Sequence, residues 1–544
     1  MSTDASRQLC APSRVGRQDS AGWAGILLFL LVVLGPFCVL LISLLDPLRL
    51  GRMEWFGLAI PQGRRLELLL QSVGLAGSVA VGGILLGIVT SLYLSRWRPG
   101  LASYLRWFIF ALAPIPPFIH AMAWSSVGAE LNSALRGWGL QEVPFRGPLA
   151  SWWVQLMALA PLAISLVWVG LESVDTDLIE AARLLRPDIH NLYQISLPLA
   201  APVILAAGGL LFLLSLVDYS VPSLFQMNVY ALDVFAEYSA NNQSARAFLV
   251  SVPMLAVTAA AVILLQSPLK NAVLKPPWRR RSLSSPPLWP RWLIWSQRAG
   301  LVVLLVQVLV PVTSLLALTG SWGNLRAAVS DASQEIAFSM GVALVTALLG
   351  LPLAYSLAAK ILSRGKAGRG WWLVLTAPLA LPAPLIGIGL ILIWNRPALS
   401  GIYGTAAMPV LASLARFAPM AAVIVLTQLR RIDPSLIEAA RILETSPVRT
   451  WVRIRLPMLA PGLLAAAGVL FVLSLGELGA TLLVAPPGRA TLTMRIYNFL
   501  HYGASDTVAG LCLMLTGVVL LFGLMVVFLL AGWSRLLKNG RAVS

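Results

Sequence analysis

Charged residues are scarce in this sequence: only 11% of its 544 residues are Asp, Glu, Lys or Arg, whereas 58% are hydrophobic. Soluble domains carry about a quarter charged residues, so an ordinary soluble protein is excluded. The 22 acidic residues are outnumbered by 40 Lys and Arg, giving a net charge of +18. Lys and Arg on the cytoplasmic side of a membrane meet anionic lipid headgroups. A lipid bilayer therefore accounts for the excess, and no nucleic-acid partner is expected.

Residues that carry chemistry are also few. Cys10, Cys38 and Cys512 show no pairing pattern, and three scattered histidines do not make a metal site. The sequence contains no G-x-x-x-x-G-K-[ST], whose amides and lysine hold nucleotide phosphates, and no cluster of a nucleophile with a base. We therefore expect no enzyme activity, metal or cofactor on this chain, and any ATP hydrolysis on a separate subunit.

Apolar stretches of nearly 20 residues recur along the chain, long enough to cross about 30 Å of hydrocarbon as helices. The predicted fold class is an all-α integral membrane protein with about twelve transmembrane helices. The first stretch is too long for a signal peptide and lacks a cleavage site. Most Lys and Arg lie on the inner segments if both termini are cytoplasmic, as the positive-inside rule favours. The predicted spans are about 22–45, 69–95, 101–125, 149–171, 199–218, 247–267, 292–318, 336–360, 371–394, 406–428, 458–478 and 506–532.

One polar segment occurs twice. Residues 175–185 read DTDLIEAARLL and residues 433–443 read DPSLIEAARIL, identical at eight of eleven positions. Each copy leads to a Leu-Pro step, at Leu197-Pro198 and Leu456-Pro457, with a further proline at Pro202 and Pro461. One such string could be a mere helix-forming sequence. Two copies at equivalent positions, with the same prolines, argue for a duplicated element.

The duplication extends along both halves of the chain. Residues 212–218 align with 471–477, residues 72–74 with 339–341, and Pro114 and Pro116 with Pro382 and Pro384. We predict a first half at 1–270, a basic, proline-rich linker at 271–290 and a second half at 291–544. Each half has six spans, an even number, so the repeat is parallel. Both loops, about 173–198 and 430–457, then face the cytoplasm.

Each loop is predicted to contain a short amphipathic helix. Asp175 and Asp433 are good N-caps. Leucines and alanines then alternate with a Glu–Arg pair spaced three residues apart, Glu180 with Arg183 and Glu438 with Arg441.

The pattern E-A-A-x-x-L followed by L-P-x-x-x-P resembles the EAA loop of permease subunits of binding-protein-dependent ABC importers. The resemblance implies a bacterial inner-membrane permease working by alternating access. It also implies two copies of a cytoplasmic ATP-binding subunit and an extracytoplasmic solute-binding protein as partners. In the family the loop is a coupling helix that enters a cleft of the ATPase. The family usually has Gly six residues after the Glu, where this chain has Arg186 and Glu444. The residues implied to couple are Glu180, Ala181, Ala182, Arg183, Leu185, Glu438, Ala439, Ala440, Arg441 and Leu443.

The solute is less firmly indicated. Residues 474–500 are similar to a segment of fused two-half permeases of the iron(III) type. That similarity implies iron(III), with thiamine, phosphonate or another small solute as alternatives. A secondary active transporter with two six-helix halves is the competing interpretation, although such proteins more often carry ionisable residues deep in their spans.

Two features predict a solute pathway or gate. Prolines in the third and ninth spans, Pro116 and Pro384 among them, remove backbone donors at corresponding places and indicate either a pathway or packing kinks. Asp218 and Glu477 occupy corresponding positions of the repeat, and each lies at the end of an apolar span. The alternatives for this pair are a gate, a contact with a cation, or solvated helix ends. His120 and Arg416 either face the pathway or pair with a neighbouring helix.

Overall fold

In the computed structural model the described residues form helices and turns, with no strand among them. The predicted all-α membrane fold is confirmed. The described residues are 20–95, 108–109, 112, 115–274, 285–363, 369–433, 435–436, 438–439, 446–501 and 506–540.

The helices alternate between long apolar spans and short connecting segments. The α-helices of the described residues are α1 Ser20–Phe29, α2 Gly35–Ser43, α3 Leu45–Arg49, α4 Arg64–Ser95, α5 Pro117–Gly137, α6 Pro148–Glu172, α7 Thr176–Arg183, α8 Asp188–Asn191, α9 Leu197–Val217, α10 Ser220–Leu224, α11 Tyr230–Asn241, α12 Ser244–Leu274, α13 Arg291–Thr319, α14 Trp322–Asp331, α15 Ser333–Ser363, α16 Arg369–Thr376, α17 Ala383–Trp394, α18 Ala407–Arg430, α19 Pro447–Thr450, α20 Leu456–Leu475, α21 Thr481–Val484, α22 Leu492–His501 and α23 Asp506–Gly540. Helical turns of π type occupy Leu30–Leu34, Leu192–Ser196 and Trp451–Arg455, and 3-10 turns occupy Met53–Ala59, Ala377–Ala380 and Pro397–Leu399.

Ten helices within the described residues are long and apolar enough to cross a bilayer. An eleventh span results if Gly370–Ala380 and Ala383–Trp394, bent by 104°, count as one. The bend lies within the predicted ninth span, 371–394, at the prolines that the sequence analysis singled out: Pro382, in an extended conformation, separates the two helices. The third predicted span, 101–125, lies partly outside the described residues, and its described C-terminal part belongs to α5, which begins at Pro117.

The first span of each half packs on the other half. Phe29 of α1 and Val33 of the π-helical turn that follows it pack in one buried cluster with Val342 and Ala354 of α15. In the opposite direction, Leu304 of α13 shares one with Leu94, Ile164 and Trp168. The halves are therefore interlocked, although each follows the same internal plan.

Equivalent hydrogen bonds recur in the two halves. The Ser72 hydroxyl accepts a hydrogen bond from the backbone N–H of Tyr230 at 2.9 Å, and Ser339 accepts one from Leu492 at 2.8 Å. Both bonds fix the first residue of a helix, α11 or α22, to a long span. The serine in each copy of the repeated Ser-x-Gly element thus accepts the equivalent hydrogen bond from the start of a helix.

Close packing at Gly389 in α17 yields a stability prediction. A Cβ placed there would lie 2.4 Å from the carbonyl oxygen of Pro36 in the first span. Because that neighbour is backbone, we expect Gly389→Ala to destabilise the protein by about 1–3 kcal/mol, measured as a lower thermal unfolding temperature in detergent. Gly341→Ala is the control, since no atom lies within 4 Å of its added Cβ. Equal unfolding temperatures for the two variants would show that α17 and the first span do not pack this way.

Candidate functional site

The first repeated segment forms the helix α7 with a polar cap. The Asp175 carboxylate accepts a hydrogen bond from the Asp177 N–H at 3.0 Å, and the helix begins at Thr176. Leu178 is 53% exposed, Leu184 88% and Leu185 84%. The segment therefore presents leucines to its surroundings instead of burying them. Of the remaining residues assigned to coupling here, Ala181 is exposed and Glu180 and Ala182 are half-buried.

The second segment begins in the same way. The N–H and hydroxyl of Ser435 donate to Asp433 at 3.0 and 2.8 Å, and these bonds lower the pKa of that exposed carboxyl from its ordinary value. Leu436 is 50% exposed, matching Leu178 in the first copy. The described residues 435–436 and 438–439 are helical, and Glu438 and Ala439 are exposed. The predicted coupling residues Ala440, Arg441 and Leu443 lie outside the described residues.

Arg183 points away from the surface that the leucines form. Its guanidinium Nε donates to Asp188 Oδ1 at 2.8 Å, and its side chain is only 15% exposed. Asp188 begins α8, five residues further along the chain, and escaped the sequence analysis. Its acidic side chain just after Pro187 was the available signal.

The turn after α7 closes without glycine. The Arg186 N–H donates to the carbonyl of Ala182 at 3.0 Å. Among the described non-glycine residues, only Gln226 and Asn242 have a positive φ. Arg186 therefore replaces the family's usual Gly without backbone strain in this copy. In both copies a π-helical turn then leads directly into the Leu-Pro that starts α9 or α20.

A cavity of about 180 Å³ lies between the two halves. It sits where α5 and α17 begin and where α9 and α20 end. Its polar lining combines residues of both halves: Gln155, Ser215, Asp218, Tyr219, Ser220, Arg416 and Glu477. Four residues that the sequence analysis singled out, Pro116, Asp218, Arg416 and Glu477, thus meet in one place.

On the first-half side, Asp218 accepts hydrogen bonds from neutral groups alone. Gln155 Nε2 donates to Oδ2 at 3.0 Å, and the N–H and hydroxyl of Ser220 donate to Oδ1 at 3.0 and 2.6 Å. The Ser215 hydroxyl in turn donates to Gln155 Oε1 at 2.5 Å. Among the described residues no ion pair offsets the Asp218 charge. Neutral hydrogen-bond donors thus hold the Asp218 carboxyl group in place at the edge of the cavity.

On the second-half side, Glu477 is ion-paired. Arg416 Nη1 donates to Glu477 Oε2, and the Ala480 N–H donates to Oε1 at 2.8 Å. Glu477 is only 2% exposed, so the alternative of a solvated helix end is wrong for this residue. Arg416 both pairs with a neighbouring helix and lines the cavity, which unites the two alternatives considered for it.

The proline breaks of the two halves correspond to each other, but the equivalent prolines differ from the predicted alignment by two residues. Pro116 and Pro382 each precede a helix in an extended conformation, at φ −59°, ψ 137° and φ −60°, ψ 141°. The predicted alignment of Pro116 with Pro384 is therefore wrong by two residues. Pro384 is the second residue of α17 and is buried, and its neighbour Ala383 lines the cavity instead.

His120 is fully buried away from the cavity lining. Neither ring nitrogen has a hydrogen-bond partner among the described residues. It does not join the acidic and basic groups, and no pathway role is assigned to it.

Four polar residues of the cavity were not singled out by the sequence analysis: Gln155, Ser215, Tyr219 and Ser220. Gln155 is a lone amide in an apolar span, and Tyr219 and Ser220 directly follow Asp218. The available signal was the repeat itself. Ser215 bonds to Gln155 just as its counterpart Ser474 bonds to Ser413, at 3.0 Å.

Comparison with known proteins places the chain among transport components. Residues 350–535 match the family described as binding-protein-dependent transport system inner membrane component. The molybdenum transport system permease protein ModB of Mycobacterium tuberculosis is 32% identical over 230 residues, covering 38% of this chain and 83% of that protein.

Two further relatives match over shorter regions. The putrescine transport system permease protein PotI of Escherichia coli (strain K12) is 28% identical over 175 residues, covering 31% of this chain and 61% of that protein. The putative 2-aminoethylphosphonate transport system permease protein PhnV of Salmonella typhimurium (strain LT2) is 32% identical over 155 residues, covering 28% and 57%. The chain thus aligns with about three fifths of the length of these two relatives.

The buried ion pair gives a double-mutant prediction. Arg416→Leu leaves Glu477 buried without its cation, which destabilises a protein by about 3–5 kcal/mol. We expect a lower thermal unfolding temperature in detergent for this variant, and recovery of most of the loss in Arg416→Leu combined with Glu477→Leu, because no charge then stays buried. Additive losses in the double variant would show that the two side chains do not depend on each other.

Proposed function

Because the chain belongs to the family of inner membrane components of binding-protein-dependent transport systems, the permease subunits of ABC importers, we propose that it forms the solute pathway of such an importer with both of its halves. The family match falls on the second half. The duplicated loops, breaks and serine contacts support extending the assignment to the first. Because the chain belongs to this family, we prefer the importer permease to the alternative of a secondary active transporter.

The two repeated loops are proposed to receive two copies of a cytoplasmic ATP-binding subunit. The support is the paired exposure of Leu178 and Leu436, 53% and 50%, at the same position of two capped helices. An exposed apolar side chain at a fixed place in each half suits the docking of two identical partners. ATP would be hydrolysed on those subunits, and a solute-binding protein would deliver solute to the opposite face. Both chain termini are then cytoplasmic, in a bacterial inner membrane.

The cavity is proposed as part of the pathway. It lies between the halves, it begins at the two helix breaks, and it is lined by charged groups from both halves. Transport by alternating access requires a site of this kind, near the interface of the repeats. The observation that carries the proposal is the meeting of Asp218, Arg416 and Glu477 in one cavity.

The charge of the cavity bears on the solute. Two carboxylates face one guanidinium, so a solute with a positive charge is favoured. Among the described residues, no group of three or more His, Cys, Asp or Glu could hold a metal ion. A protonated amine needs only one carboxylate with hydrogen-bonding neighbours, whereas bare iron(III) prefers several oxygen ligands. The names of two relatives, putrescine and 2-aminoethylphosphonate permeases, support a solute with an amine. We therefore rank an amine-bearing solute ahead of iron(III), thiamine or an oxyanion.

Charge reversal on the loops tests the docking proposal. We expect Glu180→Lys combined with Glu438→Lys to abolish coupled transport while the protein still inserts, because lysines replace acids that face the ATPase. Uptake in cells and co-purification of the ATPase measure the effect, and Glu142→Lys, an exposed acid remote from the loops, is the control. Normal uptake with normal ATPase binding in the double variant would remove the docking assignment.

A neutral substitution in the cavity tests the solute class. We expect Asp218→Asn to lower uptake of a cationic amine about tenfold, since a hydrogen bond to a charged group contributes about 1.5–3 kcal/mol. Uptake of putrescine, ferric iron, 2-aminoethylphosphonate and molybdate is compared in membrane vesicles containing the whole importer. Asp46→Asn, an exposed acid outside the cavity, is the control. Uptake of molybdate alone, unaffected by Asp218→Asn, would contradict the assignment.

A further inference from the structure

The end of the inter-half linker is bound to the first coupling loop. Arg183 Nη1 donates to the carbonyl of Ser285 at 2.9 Å, and Nη2 donates to that of Pro286 at 3.1 Å. The N–H of Leu288 donates to Asp188 Oδ2 at 2.5 Å. One ion pair thus holds three backbone groups of a segment that lies about 100 residues away along the chain.

Apolar packing continues the same contact. Trp289 packs against a buried cluster formed by Leu92, Leu192 and Leu293. Leu192 begins the π-helical turn of the loop, and Leu293 lies in the first turn of α13. The linker end is therefore fixed between the loop and α13 by polar bonds on one side and an indole on the other.

The contact between Arg183, Asp188 and the linker is buried, whereas the surface proposed for docking is exposed. The side chains of Arg183 and Asp188 are 15% and 9% exposed, whereas Leu184 next to them is 88% exposed. A partner protein that approaches the loop meets the leucine first. The guanidinium is already engaged by Asp188 and by two linker carbonyls, so its charge-assisted bonds serve the chain itself.

We infer that Arg183 and Asp188 are positioning residues that clamp residues 285–289 to the first coupling loop, so that movement of the loop is passed directly to the start of α13. The inference rests on the proposed function. The helix α13 begins at Arg291, directly after the clamped segment. It packs along the first half, where a Cβ on Gly300 would lie 2.6 Å from Thr90 Oγ1. Movement of the loop is therefore transmitted to α13, a span of the second half, through contacts that do not involve the cavity.

Coupled hydrolysis in the reconstituted complex tests the clamp. The full chain with its ATPase subunit in proteoliposomes is assayed for ATP hydrolysis with and without loaded binding protein. We expect Arg183→Gln to lower the stimulated-to-basal ratio about tenfold, the effect of losing hydrogen bonds to a charged group, with the ATPase still bound. Arg186→Gln is the matched control, because this neighbouring arginine bonds to Gln194 and to none of the linker residues that the structure describes.

Covalent rescue separates positioning from docking. In a chain whose Cys10, Cys38 and Cys512 are replaced by Ala, Arg183→Cys combined with Ser285→Cys is joined by a short bis-methanethiosulfonate reagent. We expect the crosslink to restore the ratio and a reductant to abolish it again. An unchanged ratio in Arg183→Gln, loss of the ATPase from that variant, or failure of the crosslink to restore the ratio would each overturn the clamp. A wild-type complex that binds no ATPase would instead refute the proposed function.

Discussion

A helix that breaks inside hydrocarbon exposes backbone groups that no water can bond, so a break survives only where protein covers it. The two proline breaks that precede α5 and α17 are covered by one short segment, Gly476 to Gly479. A Cβ on Gly476 would lie 2.9 Å from Pro116 Cγ, and one on Gly479 would lie 2.6 Å from the Cβ of Ala383. The two halves therefore contact each other where the helices of their spans are interrupted. Glu477 stands between these glycines, and this position forces its burial and its need for Arg416.

The exchange of first spans constrains how the halves can move. Trp23, near the start of the first half, lies 3.5 Å from the Lys360 ammonium of the second half, measured to the ring centroid. Gly300 of the second half lies against Thr90 of the first. Any rocking that opens the cavity must carry a span of the opposite half along with it. Two loosely tethered domains would not have this property.

The sequence predicted what depends on local pattern: the apolar spans, the duplicated capped helices and the proline breaks. It could not predict contacts between distant elements. In spans that are apolar on every side, hydropathy indicates lipid depth but does not distinguish a lipid-facing residue from one that faces another helix. Gln155 therefore gave no sign of its bond to Asp218. The partner of Arg183 was missed for a related reason, because helical spacing offered Glu180 while the folded loop and linker offered Asp188.

The halves have stayed alike where they would meet identical partners and have diverged where they would meet one solute. Leu178 and Leu436 are almost equally exposed, as the proposed docking of two identical partners would require. Around the cavity, Asp218 is held by neutral donors and Glu477 by a guanidinium. A single solute passing between two halves has no need to meet the same group twice. Pairing one acid with a guanidinium and leaving the other among neutral donors makes the two sides of the cavity chemically different. In surroundings of low dielectric constant, an ionised Asp218 would attract a passing cation far more strongly than it would in water.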